Sequence, residues 1–549
     1  MFRKTLFAFI FSVAALAVPM RAQNTTDRGF ELSKNIEIFC RLYETLYANY
    51  VDDVDPGASI KTAIDAMLAA LDPYTVYYPE SDMEDVRLQL LGQYGGIGAL
   101  IHQDGKEIYI SEPYKDLPAD KAGLRAGDRI LAVNGVSTEG KTNSDVSAAM
   151  RGQAGTEVTL RLQRDGKVFE RTIVRAEIKL PNVPYSGMLP GNIGYVKLDE
   201  FTQDAARNVR DALTKLKQEH PDMKGFILDL RNNGGGLLNE AVDLVNLFVP
   251  KGTLIVETKG KLSSKNTKNY TRMAPLDTEI PVAVLINGYS ASASEITAGS
   301  LQDLDRAVII GSRSYGKGLV QNVLPLVYNA QMKVTVSKYY IPSGRCIQAI
   351  DYSHRDENGR AVKVPDSLKT AFHTVHGRVV YDGFGIEPDV EVETEYMSMI
   401  STTLLSKFLV FKYVNKFVKE HPSIADPEHF QVTDEIYNDF VNFLADKDYS
   451  YSTDTERLLA ELKSVSKEEN YYETLAPYIN ELEQRLKTEK VDDLTKYREE
   501  IGELLKAEIL VRYYYSAGRL QGSLATDPDV LRAIEILGNR SEYNRILNK

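Results

Sequence analysis

The 549-residue chain has only two cysteines, Cys40 and Cys346, too few for a disulfide framework, and nothing in the sequence says whether they pair. It also lacks an excess of basic residues: 65 Lys and Arg face 77 Asp and Glu, for a net charge of -12. Nucleic acid and anionic lipid are therefore not expected partners. No apolar run is long enough to cross a membrane; the longest, residues 6–18, has thirteen residues. Two common catalytic patterns are missing, the G-x-S-x-G elbow and the H-E-x-x-H pair. None of the seven histidines falls in a glycine-rich turn. His373 and His376 have H-x-x-H spacing, but no further ligand cluster supports a metal site, so no metal or cofactor is expected.

What the chain does contain suggests several domains. Its 43% hydrophobic and 26% charged composition is that of a globular protein, and its length exceeds one ordinary core. Residues 1–22 have the pattern of a secretory leader: Arg3 and Lys4, then the short apolar run, then a cleavage point after Ala22. An exported, periplasmic or cell-envelope location is the expectation. No lipoprotein-type cysteine accompanies the leader.

Residues 30–91 carry helical periodicity in Ile36, Phe39, Leu42 and Leu46, and end in Leu71-Asp-Pro-Tyr-Thr-Val-Tyr-Tyr-Pro79. Residues 92–177 alternate as short strands, with a tight-turn signal at Asn134-Gly135. From residue 178 to 396, strand and helix signals alternate. Residues 260–276 read as a mobile polar loop, and 319–324 and 332–341 as strands that continue the same sheet. Residues 355–369 read as a charged insertion near the cleft. The remainder, 397–549, is helical and charged; its apolar stripes serve either packing or self-association.

One stretch concentrates the chemistry. The apolar strand signal over Val282–Ile286 stops at Asn287-Gly288, and small residues follow, Tyr289-Ser-Ala-Ser-Ala-Ser-Glu295, running into a helix. A serine at such a corner is exposed and lies near free backbone N–H groups that can meet an oxyanion. Lys317 follows in Ser314-Tyr-Gly-Lys-Gly-Leu-Val-Gln321. A lysine held neutral by burial can take a serine's proton. Arg231-Asn-Asn-Gly-Gly-Gly-Leu237 ends another apolar strand. It lacks the lysine and hydroxyl of a phosphate-cradling loop.

Ser-Ala-Ser-Glu followed by Gly-Lys-Gly-x-x-Gln closely resembles the carboxyl-terminal processing peptidases, or tail-specific proteases. The resemblance implies Ser292, twenty-five residues before Lys317, as nucleophile. It further implies Lys317 as general base, Gln321 as its orienting residue, and the N–H groups of Gly236 and Ala293 as the oxyanion hole. Gly234 stands where the family has proline, and Phe384 replaces a glycine of the closing Tyr-Asp-Gly signature. Tyr94-Gly-Gly-Ile-Gly98 and Gly123 to Gly135 resemble a PDZ domain. By that resemblance Gly95, Gly96, Ile97 and Gly98 form the carboxylate loop, with Ile97 and Leu100 near the apolar pocket.

The implied fold is multidomain α/β: a crotonase-like ββα-spiral core with an inserted PDZ domain and helical N- and C-terminal regions. The implied function is a serine endopeptidase acting on polypeptides with free C-terminal tails, with an activator protein and a homodimer as expected partners. Two rivals are a noncatalytic PDZ scaffold and an acyl-CoA enzyme on a related core. The dyad motifs disfavour the first; the second lacks carboxylate bases and a basic phosphate patch.

Overall fold

A computed structural model describes residues 23–80, 93–393 and 397–549. The expected leader and residues 81–92 lie outside the described residues. The chain divides into two compact units, one ending at Pro73 and the other spanning Tyr74–Lys549.

The first unit contains two helices, Gln23–Asn49 and Pro56–Ala69. Asp55 caps the second by accepting a hydrogen bond from the Ala58 N–H at 2.8 Å, and Pro56 pre-sets the first helical turn. The periodic residues Ile36, Phe39, Leu42 and Leu46 are exposed.

The second unit is built on a six-stranded sheet with the spatial order Tyr185–Leu189, Ile193–Lys197, Gly225–Asp229, Val282–Ile286, Ala307–Gly311 and Val390–Glu391. The first pair is antiparallel and the rest are parallel. Its inner strands are buried along their whole length, which is why they read as unbroken apolar runs. One face packs on helices Ala205–Glu219, Leu238–Val245 and Ala293–Asp303. The other is covered by Pro528–Gly538 and Arg540–Ile546, where Tyr543 Oη accepts from the Val282 N–H at 3.1 Å. The end of the chain is thus a layer of this core and not wholly a separate tail.

Three expectations are corrected. The strands Leu319–Pro325 and Gln331–Tyr340 do not continue the parallel sheet. They form a second, antiparallel sheet with Leu254–Gly260, Thr267–Tyr270 and Val76–Tyr78. Residues 260–276 are accordingly not one loop, since Thr267–Tyr270 pairs back on Leu254–Gly260. Val76–Tyr78, which falls inside the helical N-terminal region expected over residues 30–91, is an edge strand opposite Gln331–Lys333. Residues 355–369 include the end of a hairpin, Ile350–Arg355 with Ala361–Lys363.

The β-module is inserted before the core. Gln93–Gly96 pairs with Ala176–Lys179 where the chain enters and leaves. Between them six antiparallel strands run from Ala99–Asp104 to Lys167–Val174, the shortest being Val136–Ser137. They enclose Ile108, Ile110, Ile130, Val158, Leu160 and Leu162 with helix Asn143–Met150. Asn134 and Gly135 both have positive φ, 49° and 79°, as a two-residue hairpin turn demands. The C-terminal helices, from Met399–Ser406 through Arg498–Ser523, share a core around Tyr413, Phe417, Phe440 and Leu505. They touch the β-module at Lys412–Asp104, 2.6 Å, and at Tyr515 Oη–Asp120 Oδ1, 2.8 Å.

Candidate active site

Ser292 lies at the turn between Val282–Ile286 and Ala293–Asp303, with φ 55° and ψ -112°. Few L residues adopt such backbone angles; the surrounding bonds hold it there. Much of that constraint comes from Glu295, a wholly buried carboxylate one helical turn on. Its Oε2 accepts the N–H groups of Ser292 (2.8 Å) and Lys317 (2.9 Å), and its Oε1 accepts Ser314 Oγ (2.5 Å) and the Gly316 N–H (2.7 Å). One side chain therefore fixes the spacing of both loops. Burial pushes its carboxyl above the ordinary glutamate value, while these hydrogen bonds pull the other way. From the other side, buried Tyr339 donates toward the carbonyls of Lys317 (2.8 Å) and Ser292 (3.3 Å), and burial raises its phenol well above the usual range.

The loop after Gly225–Asp229 packs directly on this corner. A Cβ on Gly235 would fall 2.6 Å from the Ala291 carbonyl and 2.8 Å from the Ser292 Cβ, at a φ of 99° open mainly to glycine. Buried Asn233 organises the loop, donating to Leu198 O and accepting from the Gly235 N–H. The N–H groups of Gly236 and Ala293 have no acceptor among the described residues, and both residues line the cleft that holds Ser292. At the loop's start Asp229 is buried against Arg231, Lys197 and Tyr195. Burial alone would raise its carboxyl, but Arg231 and Lys197 bring it down to about 2. Arg231 also reaches Asp527 and Asp529, each at 2.8 Å, and so ties the loop to the C-terminal helix layer.

The cleft encloses about 490 Å³. Ser292, Ala293, Gly236, Lys317 and Gln321 all line it. Among the described residues no hydrogen bond joins Ser292 Oγ to Lys317 Nζ. The Lys317 ammonium lies 4.2 Å from the centroid of the Tyr74 ring, a cation–π contact. Tyr74 is itself hydrogen-bonded to Tyr315 and Tyr352, both at 3.3 Å. Gln321 Nε2 donates to Thr335 Oγ1 at 3.2 Å, so its amide is engaged beside Lys317 and not on it.

The β-module has its own groove, about 250 Å³, lined by Gly96, Ile97, Gly98 and Leu100 with Asn143, Ser147 and Arg151. The N–H groups of Ile97 and Gly98 have no backbone acceptor among the described residues. Gly95 does not belong to this groove. It sits in the strand facing Glu177, so close to Gly152 that a Cβ would fall 2.0 Å from its carbonyl. Ile97 is 3% exposed and packs in the module's core, whereas Leu100 is 46% exposed. His376 Nδ1 lies 3.1 Å from the Leu547 carbonyl, and His373 is exposed.

Glu295, Tyr339, Tyr74 and Arg151 were not singled out from sequence. For Glu295 a signal was present, since it is the acidic residue of the Ser-Ala-Ser-Glu motif.

Residues 192–354 match the model of peptidase family S41, residues 109–164 a PDZ domain, and residues 400–537 the C-terminal helical domain of a probable PDZ-protease. A carboxy-terminal-processing protease of Bartonella bacilliformis is 38% identical over 356 residues, covering 64% of this chain and 81% of that protein. A probable CtpA-like serine protease of Staphylococcus aureus is 32% identical over 399 residues, covering 72% and 71%. Among solved structures, a photosystem II D1 C-terminal processing protease is 29% identical with a TM-score of 0.36, covering 64% of this chain and 86% of that one.

Proposed function

Because this chain belongs to peptidase family S41 and is a carboxy-terminal-processing serine protease with a PDZ domain, we propose that it is an exported endopeptidase acting through a Ser292–Lys317 dyad. The observation that carries this reading is the convergence of the Ser292 hydroxyl, the Lys317 amine and two N–H donors without protein acceptors, Gly236 and Ala293, on one cleft. The alternating helix and strand layers support a crotonase-like reading of the core.

A substrate's C-terminal tail docks as an added strand in the PDZ groove, its carboxylate meeting the Ile97 and Gly98 N–H groups near Arg151. An upstream peptide bond then enters the catalytic cleft. Lys317, as a neutral amine, swings from the Tyr74 ring to Ser292 and takes the hydroxyl proton as Oγ attacks the carbonyl carbon. Gly236 and Ala293 hold the oxyanion, and Gln321 lies beside the lysine's path. Lys317 returns the proton to the leaving amine, and water attacks the acyl-enzyme by the same route. The leader-like residues 1–22 support export to the periplasm or envelope. The exposed apolar residues of Gln23–Asn49 support a homodimer or an activator protein as its partner.

The test is cleavage of a tail peptide by wild type, Ser292→Ala and Lys317→Ala, with free and amidated termini. Loss of cleavage in both variants, and weaker docking of the amide, is expected. Full activity in Ser292→Ala sinks the assignment, and equal binding of acid and amide sinks the PDZ role.

A further inference from the structure

The catalytic cleft contains a second lysine that the dyad does not use. Lys333 lies in the strand Gln331–Tyr340, directly opposite Val323 and Val76 in the register of its two neighbours. Val323 is two residues beyond Gln321 on the strand leading away from Lys317, so Lys333 sits about 7 Å further along the sheet than Gln321. Its side chain lines the same cleft as Ser292, together with Tyr78 and Val323. It is partly buried. No carboxylate among the described residues pairs with it; burial alone moves its ammonium below the ordinary lysine value. The carboxylate that lines the cleft among the described residues, Glu200, adjoins Phe201, whose backbone bridges Gly236 on the oxyanion side.

A half-buried cation without a counter-charge is costly to keep in a fold. Other cations in the fold are satisfied by the protein: Arg231 has Asp229, Arg345 has Asp303, and Arg378 has Asp305 and Asp389, while buried Arg175 and Arg306, which have no carboxylate, donate to backbone carbonyls. Lys333 has no counter-charge among the described residues, and its side chain lines the cleft that a peptide substrate would enter. Apolar Val323 and Tyr78 beside it would exclude water once a peptide fills the cleft, which strengthens an ion pair.

We propose that Lys333 is a specificity-determining residue that binds a carboxylate of the polypeptide substrate, two or more residues from the scissile bond. This rests on the peptidase reading above. The carboxylate comes either from an Asp or Glu side chain or from the substrate's own C-terminus when a short tail has entered the cleft. Both offer two acceptor oxygens to the ammonium.

The experiment uses the full chain and matched peptides. One set scans Glu against Gln at each position around the scissile bond, with an amidated C-terminus; the other keeps neutral side chains and compares free and amidated ends. The readout is the ratio of kcat/KM between the members of each pair. Wild type is expected to favour the carboxylate at one position, or at the terminus, by about ten- to a hundredfold, the range of a charge-assisted hydrogen bond. In Lys333→Met the Glu-over-Gln ratio should fall to about one and the free-over-amidated ratio to what PDZ docking alone supplies; both should persist in Lys333→Arg, and the Glu-over-Gln ratio should drop below one in Lys333→Glu. Should Lys333→Met fail to fold, the Arg and Glu variants carry the comparison. Reading the change in ratio separates this contact from docking on the PDZ groove, which the variants leave intact. A wild type that cleaves both members of every pair alike, or a Lys333→Met that keeps the preference, overturns the proposal while leaving the peptidase standing. A wild type that cleaves no peptide sinks both.

Discussion

Replacing Glu295 by Gln isolates the group that sets the distance between the two catalytic loops. The carboxylate accepts four hydrogen bonds, two per oxygen. A carboxamide keeps one oxygen and replaces the other with a donor. In its best orientation the amide oxygen retains Ser292 N–H and Lys317 N–H, and Ser314 can rotate its hydroxyl to accept. The Gly316 N–H then faces an NH₂ group. One buried N–H left without an acceptor costs about 1–3 kcal/mol, and two charge-assisted bonds weaken by roughly half. Against this, the variant no longer buries a charge, the cost that pushes the Glu295 carboxyl upward. The stability terms therefore oppose one another, and a net loss of about 1–3 kcal/mol is expected. In activity they do not oppose, because any drift of the Lys317 loop misplaces the base, and misplacement of about 1 Å costs on the order of a hundredfold. Urea denaturation combined with kcat on a fluorogenic tail peptide separates the two. A Glu295→Gln protein within threefold of wild-type kcat would refute the claim that this carboxylate positions the dyad.

Other expectations follow from the same corner. Ser292→Gly relieves the positive φ that Ser292→Ala retains, so the glycine variant should be about 1 kcal/mol more stable in denaturation while both are inactive; an alanine variant of equal or greater stability contradicts the strain. Tyr339→Phe removes the hydroxyl between the Ser292 and Lys317 carbonyls, and kcat is expected to fall about tenfold with about 1 kcal/mol of stability, as checked by the same pair of assays. Asp229 titrates lower in the folded state, about 2 against its ordinary 3.8. The stability it contributes is thus complete above its unfolded value and is lost as pH falls through about 2, a change of about 2 kcal/mol that acid titration of Asp229→Asn should lack.

Much of this site was legible before any coordinates, and the reason is locality. Val282–Ile286 is buried on both faces and so reads as a strand from composition alone. Ser292 and Lys317 sit in short motifs whose small residues and glycines are needed where they stand. What escaped depends on distant segments meeting. Glu295 looks like an ordinary helix-start acid until the loop 314–318 folds back on it. Tyr74 ends a helical signature, and nothing local reveals that its ring lies under a lysine 243 residues later. The alternation at Met332, Val334 and Val336 marks a strand without saying which sheet it joins. The apolar stripe of Pro528–Gly538 likewise does not name the central sheet as its partner. Gly95 was misread because a glycine forced by close approach to Gly152 looks the same in sequence as one in a binding loop.

The central claim is that Ser292 becomes covalently acylated during peptide cleavage. Intact-mass and peptide-mapping spectrometry of enzyme quenched in turnover of a tail peptide tests it most directly. The account predicts an acyl adduct confined to Ser292 and absent from Lys317→Ala. An adduct on a different side chain, or undiminished cleavage by Ser292→Ala, would contradict it.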